Sequence, residues 1–566
     1  MSTADKLLYL QYTKSAIKDA IIAKGVSVPV GTPFRDYATK IGSITTGSTG
    51  SETADEWVRP TEWLALPDNV DGVQKVSILN AVFDTDSEFV AFTINLSSGI
   101  ANYIVDWGDG TTDIILQNKQ AEHKYDYNNV NLNSDTVTNY GYKQCVITIT
   151  PQTSNITGIV LNSYHSSIGN STIYDLTTGF LDIRINALSC TAVLLGLASS
   201  YVRHTMLEQC LIGELAVTLL NNLFYDCYVL QSVSIKDTSN VTNFSSMHYN
   251  NYALQKMPVY TFRSEGVNVD NMFNSCYALR ETYPIGITPS INGAMTNMFG
   301  NCKSMKYIDL TINSNINYGL SQTFFSCLSL ENIKLTQTGT GKINDLSYAF
   351  TSTRLKESPI MDTSLCTSFI NAFQSCDRLT KLHEYDYSSA VDLYGMLSGC
   401  YSLKSVPNFN ITSRCINLNY LCYNCWSLEK APTFSDSSRV IDTIGMLQYC
   451  KSITTIPSYI FGNITGDFTG TFANMDSLQV MPNITVGSVY TANSNILINN
   501  YSLKRMLMPL RFTFSVANAK MSATALNEMY SILPIVTGQT VTVTGNYGTK
   551  SDDPTIATAK GWTVIG

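Results

Sequence analysis

A short pattern returns about every 25 residues between residues 227 and 500, and no other feature constrains the fold of this chain as tightly. Met272-Phe273-Asn274-Ser275-Cys276-Tyr277-Ala278-Leu279 comes back as Met298-Phe299-Gly300-Asn301-Cys302-Lys303-Ser304-Met305, and again as Met396-Leu397-Ser398-Gly399-Cys400-Tyr401-Ser402-Leu403. The anchor of the pattern falls at Cys227, Asn251, Cys276, Cys302, Cys327, Thr353, Cys376, Cys400, Cys425, Cys450, Met475 and Asn500, at spacings of 23 to 26. One such unit cannot bury its own apolar face, so neighbours must stack into a solenoid. Each unit is expected to supply a short strand and a return limb. The strand is placed around stretches such as Val406-Pro407, Ala431-Pro432, Ile456-Pro457 and Met481-Pro482, and the limb carries the Met-Phe-x-x-Cys turn. Twelve rungs paired at ~4.8 Å give an array on the order of 55 Å long. Met, Phe, Cys and Leu at fixed phase are the inward residues, and cysteine suits a narrow corner because it is small and apolar.

These residues resemble the BspA-like leucine-rich repeat family over about residues 223–510. The resemblance implies a surface protein; related arrays occur in phage tail proteins. Asn251, Thr353, Met475 and Asn500 stand at anchors without a thiol, which argues against chemistry at the cysteines. Cys422-x-x-Cys425 could suggest zinc or redox work. Yet Cys422 fills the Phe/Leu slot and Cys425 the anchor, so packing is the preferred reading. Residues 161–222 read as degenerate leading rungs. Residues 520–566 read as a C-terminal cap, with a helix over 523–533 ended by Pro534, then strands at 539–544 and 563–565.

Upstream the texture changes. Phe89–Leu96, Ala101–Trp107 and Gln144–Thr150 read as strands, with Gly108-Asp109-Gly110 as a tight turn. Val105-Asp106-Trp107-Gly108-Asp109-Gly110 followed by His123-x-Tyr125 resembles the PKD family of Ig-like β-sandwiches, which implies that Trp107 lies in a core. Asp84, Asp86, Asp106, Asp109 and Asp113 could gather around calcium. No full ligand motif accompanies them, so turn formation and capping are preferred.

At the start of the chain, residues 4–24 carry Leu7, Leu10, Ile17 and Ile21 on one helical stripe, and Thr32-Pro33 opens a second helix. Such short helices need a partner to bury their apolar faces. The Lys6–Ile21 stretch followed by Thr32-Pro33-Phe34-Arg35-x-Tyr37 resembles the N-terminal attachment segments of phage tail and baseplate proteins, and Arg59-Pro60-Thr61-Glu62-Trp63-Leu64-Ala65-Leu66-Pro67 resembles a segment found ahead of a β domain in the same kind of protein. The expected layout is mainly β. It comprises a helical attachment or oligomerisation segment at 1–44, a linker at 45–80, a PKD-like β-sandwich at 81–160, a leucine-rich-repeat solenoid at 161–519 (regular from about 223) and the cap at 520–566.

Composition narrows the function. Charged residues make up only 14% of the chain, against about 25% in ordinary domains. Net charge is −8 with no Lys/Arg cluster, which opposes nucleic-acid binding. No apolar run reaches the ~20 residues of a membrane span. The first ten residues lack the features of a secretory signal, pointing to synthesis in a host cytoplasm. Five scattered histidines and the absence of nucleophile-elbow, zincin or phosphate-loop motifs oppose an enzyme, and no cofactor or metal is expected. Tyr260, Tyr385, Phe409, Phe434 and Tyr459, each nine positions after an anchor, are the candidate ligand-binding residues. Pointing outward they form an aromatic ladder for sugar rings or an apolar receptor; pointing inward they are core. The resulting expectation is a virion component of a phage tail or baseplate. It would dock on other tail proteins through its first helices, assemble as a homo-oligomer (a trimer fits such an appendage), and present the solenoid to a host glycan or protein receptor. A bacterial surface adhesin and a purely structural spacer are the alternatives.

Overall fold

The structure is a computed structural model that describes residues 57–83, 88–128, 137–168, 176–196, 202–264, 266–280, 282–288, 293–462, 468–487 and 495–566. The two expected N-terminal helices and the linker up to residue 56 lie outside the described residues. The described part is mainly β, and its long axis of organisation is the repeat.

Seven strands open it: β1 (Lys75–Val82), β2 (Phe89–Leu96), β3 (Asn102–Asp106), β4 (Thr112–Leu116), β5 (Gln120–Lys124), β6 (Lys143–Pro151) and β7 (Ile156–Val160). Next come β8 (Phe180–Asn186), β9 (Ala192–Leu194), β10 (Gln209–Ile212) and β11 (Ser232–Ile235). One sheet runs β11-β10-β8-β1-β6-β3-β4 and the other β9-β7-β2-β5. The pairings among β1 to β7 are antiparallel, as is β1 on β8. Those of β10 with β8 and β11, and of β9 with β7, are parallel. Both sheets therefore cross from the first module into the solenoid without a break. Ile147, Ile78, Ile183, Cys210 and Val233 form one row across that junction. The apolar core is one continuous cluster from Val76 to Trp562.

This corrects two expected boundaries. β1 lies in the stretch read as linker, because it is buried on both faces while Ser77 and Asn80 interrupt its apolar residues, so that neither an alternation nor an unbroken apolar run marks it. Residue 161 is not a domain break, since hydrogen-bonded strands run through it.

A strap before β1 locks the junction from outside. Arg59 donates from Nε to the buried Asp182 Oδ2 at 2.9 Å and from Nη1 and Nη2 to the carbonyls of Trp63 and Leu64. Trp57 Nε1 donates to Glu208, Trp63 Nε1 to the Tyr142 hydroxyl, and Asn69 Nδ2 to the Leu211 carbonyl. Trp63 and Leu66 pack there on Leu79, Ala81, Tyr142 and Leu181 as a second, smaller core.

The regular rungs repeat one backbone recipe. Eight residues before the anchors from Cys227 to Cys450 a parallel bridge links neighbours, as in Asp345↔Ser368↔Asp392↔Asn417↔Asp442. Asp345, Asp392 and Asn417 there accept the N–H two residues on, which starts the turn. Two left-handed residues follow, five and one before the anchor: Asn271 and Ser275, Asn297 and Asn301, Tyr420 and Asn424. Asn tolerates this conformation better than most side chains, which helps account for the Asn-rich turns. Three before the anchor stands an inward aromatic spine. Phe273, Phe299, Phe324, Phe350 and Phe373 stack at 5.1–5.8 Å between centroids, within 12° of parallel.

The expected strand is present only where its sequence permits. β12 (Ile285–Ile287), β13 (Tyr307–Asn313) and β14 (Asn332–Thr338) form a parallel sheet. The rungs carrying Pro407, Pro432 and Pro457 make only isolated bridges there, because proline has no N–H to donate. At the far end the cap follows the reading closely. β15 (Phe514–Ser515), β16 (Gln539–Thr542) and β17 (Trp562–Ile565) pair in parallel. Around them lie α1 (Ala523–Ile532), capped by Ser522, and α2 (Thr555–Thr558).

Candidate binding surface

The aromatic ladder read as a candidate site lies inside. Phe409 is fully buried, Tyr260, Tyr385 and Tyr459 are buried, and Phe434 is half-buried against the core. The Tyr385 and Tyr459 hydroxyls donate to the Pro359 and Pro432 carbonyls of the preceding rungs. Their phase was readable from the repeat; the side of the coil they face was not. As core, these residues present nothing to a ligand.

Most anchors share one structural job, and it explains the asparagines among their substitutions. In rung after rung the anchor thiol donates to the carbonyl three residues before the previous anchor: Cys276 to His248, Cys302 to Phe273, Cys327 to Phe299, Cys400 to Phe373, Cys425 to Leu397 and Cys450 to Cys422, at 3.0–3.2 Å. Asn251 and Asn500 reach the equivalent carbonyls of Phe224 and Phe472 through Nδ2. A donor on a short side chain suits the slot; Thr353 turns its hydroxyl instead to the Phe350 carbonyl of its own rung, and Met475 has no donor. Cys422 and Cys425 are buried in this stack like the other cysteines. Burial pushes the Cys376 thiol up to about 11 and that of Cys327 up to about 12. All 14 cysteines are buried and unpaired. Ellman's reagent at pH 8 should therefore label almost none in the native protein and about 14 in guanidinium; rapid native labelling of several thiols would contradict this packing.

His248 sits in the spine between Phe224 and Phe273, 5.2 Å from each ring. Asn251 uses its Nδ2 on carbonyls, so its Oδ1 accepts from His248 Nδ1–H, and Nε2 accepts from the Tyr260 hydroxyl, both at 2.7 Å. Burial depresses His248, and likewise His204, to about 4. An unfolded histidine titrates near 6.5, so stability is complete above that pH. It is lost as pH falls towards 4, by on the order of 3 kcal/mol per histidine. Urea melts between pH 7 and 4 should show this decline, and His248→Phe should flatten its share. An equal slope in the variant would refute the assignment.

In the first module Trp107 is buried, with His123 stacked on it at 4.7 Å. The carboxylates read as possible calcium ligands have protein donors: Asp106 takes Gly108 N–H, Asp109 takes Thr111 and His123, and Asp113 takes the Trp107 indole. Asp84 and Asp86 lie outside the described residues. Gly108 passes so close to β6 that a Cβ would stand 2.5 Å from the Val146 carbonyl oxygen, and its φ is +76°.

The accessible aromatic side chains flank the anchor turn instead. Immediately after the anchors stand Tyr228, Tyr252 and Tyr277, stacked at 4.9 and 4.7 Å within 4° of parallel, with the Lys303 ammonium 4.0 Å from the last ring. The same slot farther on holds Tyr401 and Trp426, with centroids 4.6 Å apart, then Lys451. Trp426 is 47% and Tyr401 39% exposed. Half-buried Tyr394, Tyr420, Tyr423 and Tyr449 crowd beside them. The result is a ridge with two aromatic stretches along one edge of the array. Sequence reasoning missed it, although the signal was present: the residue after the anchor varies in charge and size from rung to rung, as an outward position does.

Residues 214–312 and 318–459 match the family described as "Mycoplasma protein of unknown function, DUF285". No curated protein matches the chain. Among solved structures, the chain is similar to the one described as "Crystal structure of TLR13-ssRNA13 complex", at 13% identity and a TM-score of 0.23, covering 64% of this chain and 57% of that one. It is similar also to the Toll–Spatzle complex from Drosophila, at 11% identity and a TM-score of 0.22, covering 60% and 49%. The chain thus spans about half the length of each of these two. The edge that carries the ridge belongs to a repeat solenoid that is similar over those two stretches to the DUF285 family.

Proposed function

We propose that this chain is a non-enzymatic adhesion protein whose repeat array presents the aromatic ridge to a cell surface. The observation that carries the reading is the ridge itself: exposed or half-exposed tyrosines and a tryptophan held at fixed spacing on one edge, with Lys303 and Lys451 closing its two aromatic stretches. Aromatic residues so placed are typical anchors of binding surfaces. BspA-like repeats are compatible with such a role. In its finer form the proposal is a phage tail or baseplate appendage, attached through residues 1–44 and assembled as a homo-oligomer. The resemblance of the Arg59–Pro67 strap supports this form. The match to a Mycoplasma family favours a second one, an adhesin of the bacterial surface.

The test uses the whole chain, fluorescently labelled, on bacterial strains that differ in sensitivity to one phage. Saturable binding confined to sensitive strains supports the tail appendage. Binding to none, with the protein folded by circular dichroism, overturns adhesion. Antibody labelling of virions and of cell envelopes then separates the two settings.

A further inference from the structure

We infer that the rungs anchored at Cys400, Cys425 and Cys450 form a platform for an uncharged linear polysaccharide; the inference rests on the adhesion reading and names its ligand. Three consecutive rungs supply six rings there in two contact groups, Tyr394–Tyr420–Tyr423–Tyr449 and Tyr401–Trp426. Their arrangement differs from the earlier tyrosine run. In Tyr228, Tyr252 and Tyr277 the rings stack like coins, so their faces are used on one another and their edges face out. In the later cluster Tyr394 meets Tyr420 at 71°, Tyr420 meets Tyr423 at 83° and Tyr423 meets Tyr449 at 90°. An edge-to-face pair leaves the ring that offers its edge with both faces free of that neighbour.

The rings are also held in place. The Trp426 indole N–H donates to Asn424 Oδ1 at 3.3 Å, and Asn424 is fixed in a left-handed turn. Tyr420 lies against Gly445, where a Cβ would come within 2.8 Å of its ring. A ligand therefore meets surfaces that lose little freedom on binding.

The chemistry around the rings is mostly amide and hydroxyl: Ser398, Asn419, Asn424 and Gln448 belong to the same turns, and the ammonium over a ring, Lys451 at 5.4 Å from Trp426, is paired with Asp476 at 3.8 Å. A pyranose offers what this surface can use, an apolar C–H face for an aromatic ring and a rim of hydroxyls for amides. Rungs advance by about 4.8 Å, close to the length of one sugar unit in an extended chain, so successive units can meet successive rungs. A net charge of −8 disfavours polyanions, which selects a neutral chain.

The experiment measures binding of the whole chain to a strain it adheres to, after the cells are treated either with periodate, which cleaves vicinal diols, or with proteinase K. Trp426→Ala and Tyr423→Ala are compared with Tyr307→Ala, a change at an exposed ring on β13 away from the ridge. Circular dichroism checks that each variant is folded. The expected result is binding lost to periodate, kept after proteinase, and not competed by alginate. Trp426→Ala should weaken it by about tenfold or more while Tyr307→Ala leaves it unchanged. Binding that survives periodate and fails after proteinase overturns the polysaccharide and leaves adhesion standing. Competition by alginate overturns the neutral ligand, and equal affinity in Trp426→Ala overturns the site. No binding to any strain removes the adhesion reading itself, and this inference with it.

Discussion

Replacing Arg59 with alanine should destabilise the protein by about 3–5 kcal/mol, one of the two largest single-residue effects expected. Asp182 is wholly buried on β8, its Oδ2 takes Arg59 Nε at 2.9 Å, and Oδ1 has no hydrogen-bond partner. Burial raises its carboxyl above the usual range, while Arg59 pulls it back down. Without the guanidinium the buried carboxylate keeps only the charge of Arg184 to offset its desolvation, and it is driven to bind a proton. The variant should therefore regain part of its stability as pH falls. The strap also loses its hold on the Trp63 and Leu64 carbonyls. Asp182→Asn in the same chain should recover much of the loss, because it removes the stranded charge. Urea melts of the two single variants and the double variant check this. A loss below about 1 kcal/mol in Arg59→Ala would show that the strap is a surface decoration.

Phe299→Ala should cost about as much, 3–5 kcal/mol, by opening a cavity in the middle of the spine. Its ring is fully buried between Phe273 and Phe324, at 5.6 and 5.8 Å. In a solenoid each rung is stabilised chiefly by its two neighbours, so the damage concentrates at one place along the array. The melt should broaden or split, with the rungs before Cys302 and those after it losing structure separately. Phe299→Leu, which keeps most of the volume, should cost much less. Thermal melts followed by circular dichroism test both. A single sharp transition with an unchanged midpoint in Phe299→Ala would contradict the stacked spine.

The solenoid was legible in the sequence because stacking demands the same inward residue at the same phase in every rung. Met272, Phe273, Cys276 and Leu279 are all fully buried, as the pattern requires. The cap was legible because α1 has a helical apolar stripe ended by Pro534. The first module was legible in part: β2 matches the Phe89–Leu96 reading to the residue. β1 was not, since Ser77 and Asn80, both buried, break the apolar pattern that would mark a strand. The binding surface was misplaced for a physical reason. A period fixes when a residue recurs, not whether that part of the coil faces in or out, and aromatic rings serve both places. Tyr385 and Tyr401 recur equally well, yet one is core and the other stands on the ridge.

The binding reading depends on a ridge that is presented rigidly, and that depends on the first module and the array being one body joined through two shared sheets. Hydrogen exchange of residues 57–566 tests this most directly. The amides of β1, β6, β8 and β10 should exchange through a single opening, with the same free energy and the same response to urea. If β1 and β6 open with a free energy of their own while β8 and β10 stay protected, the first module is a separate bead and the continuous body described here does not exist.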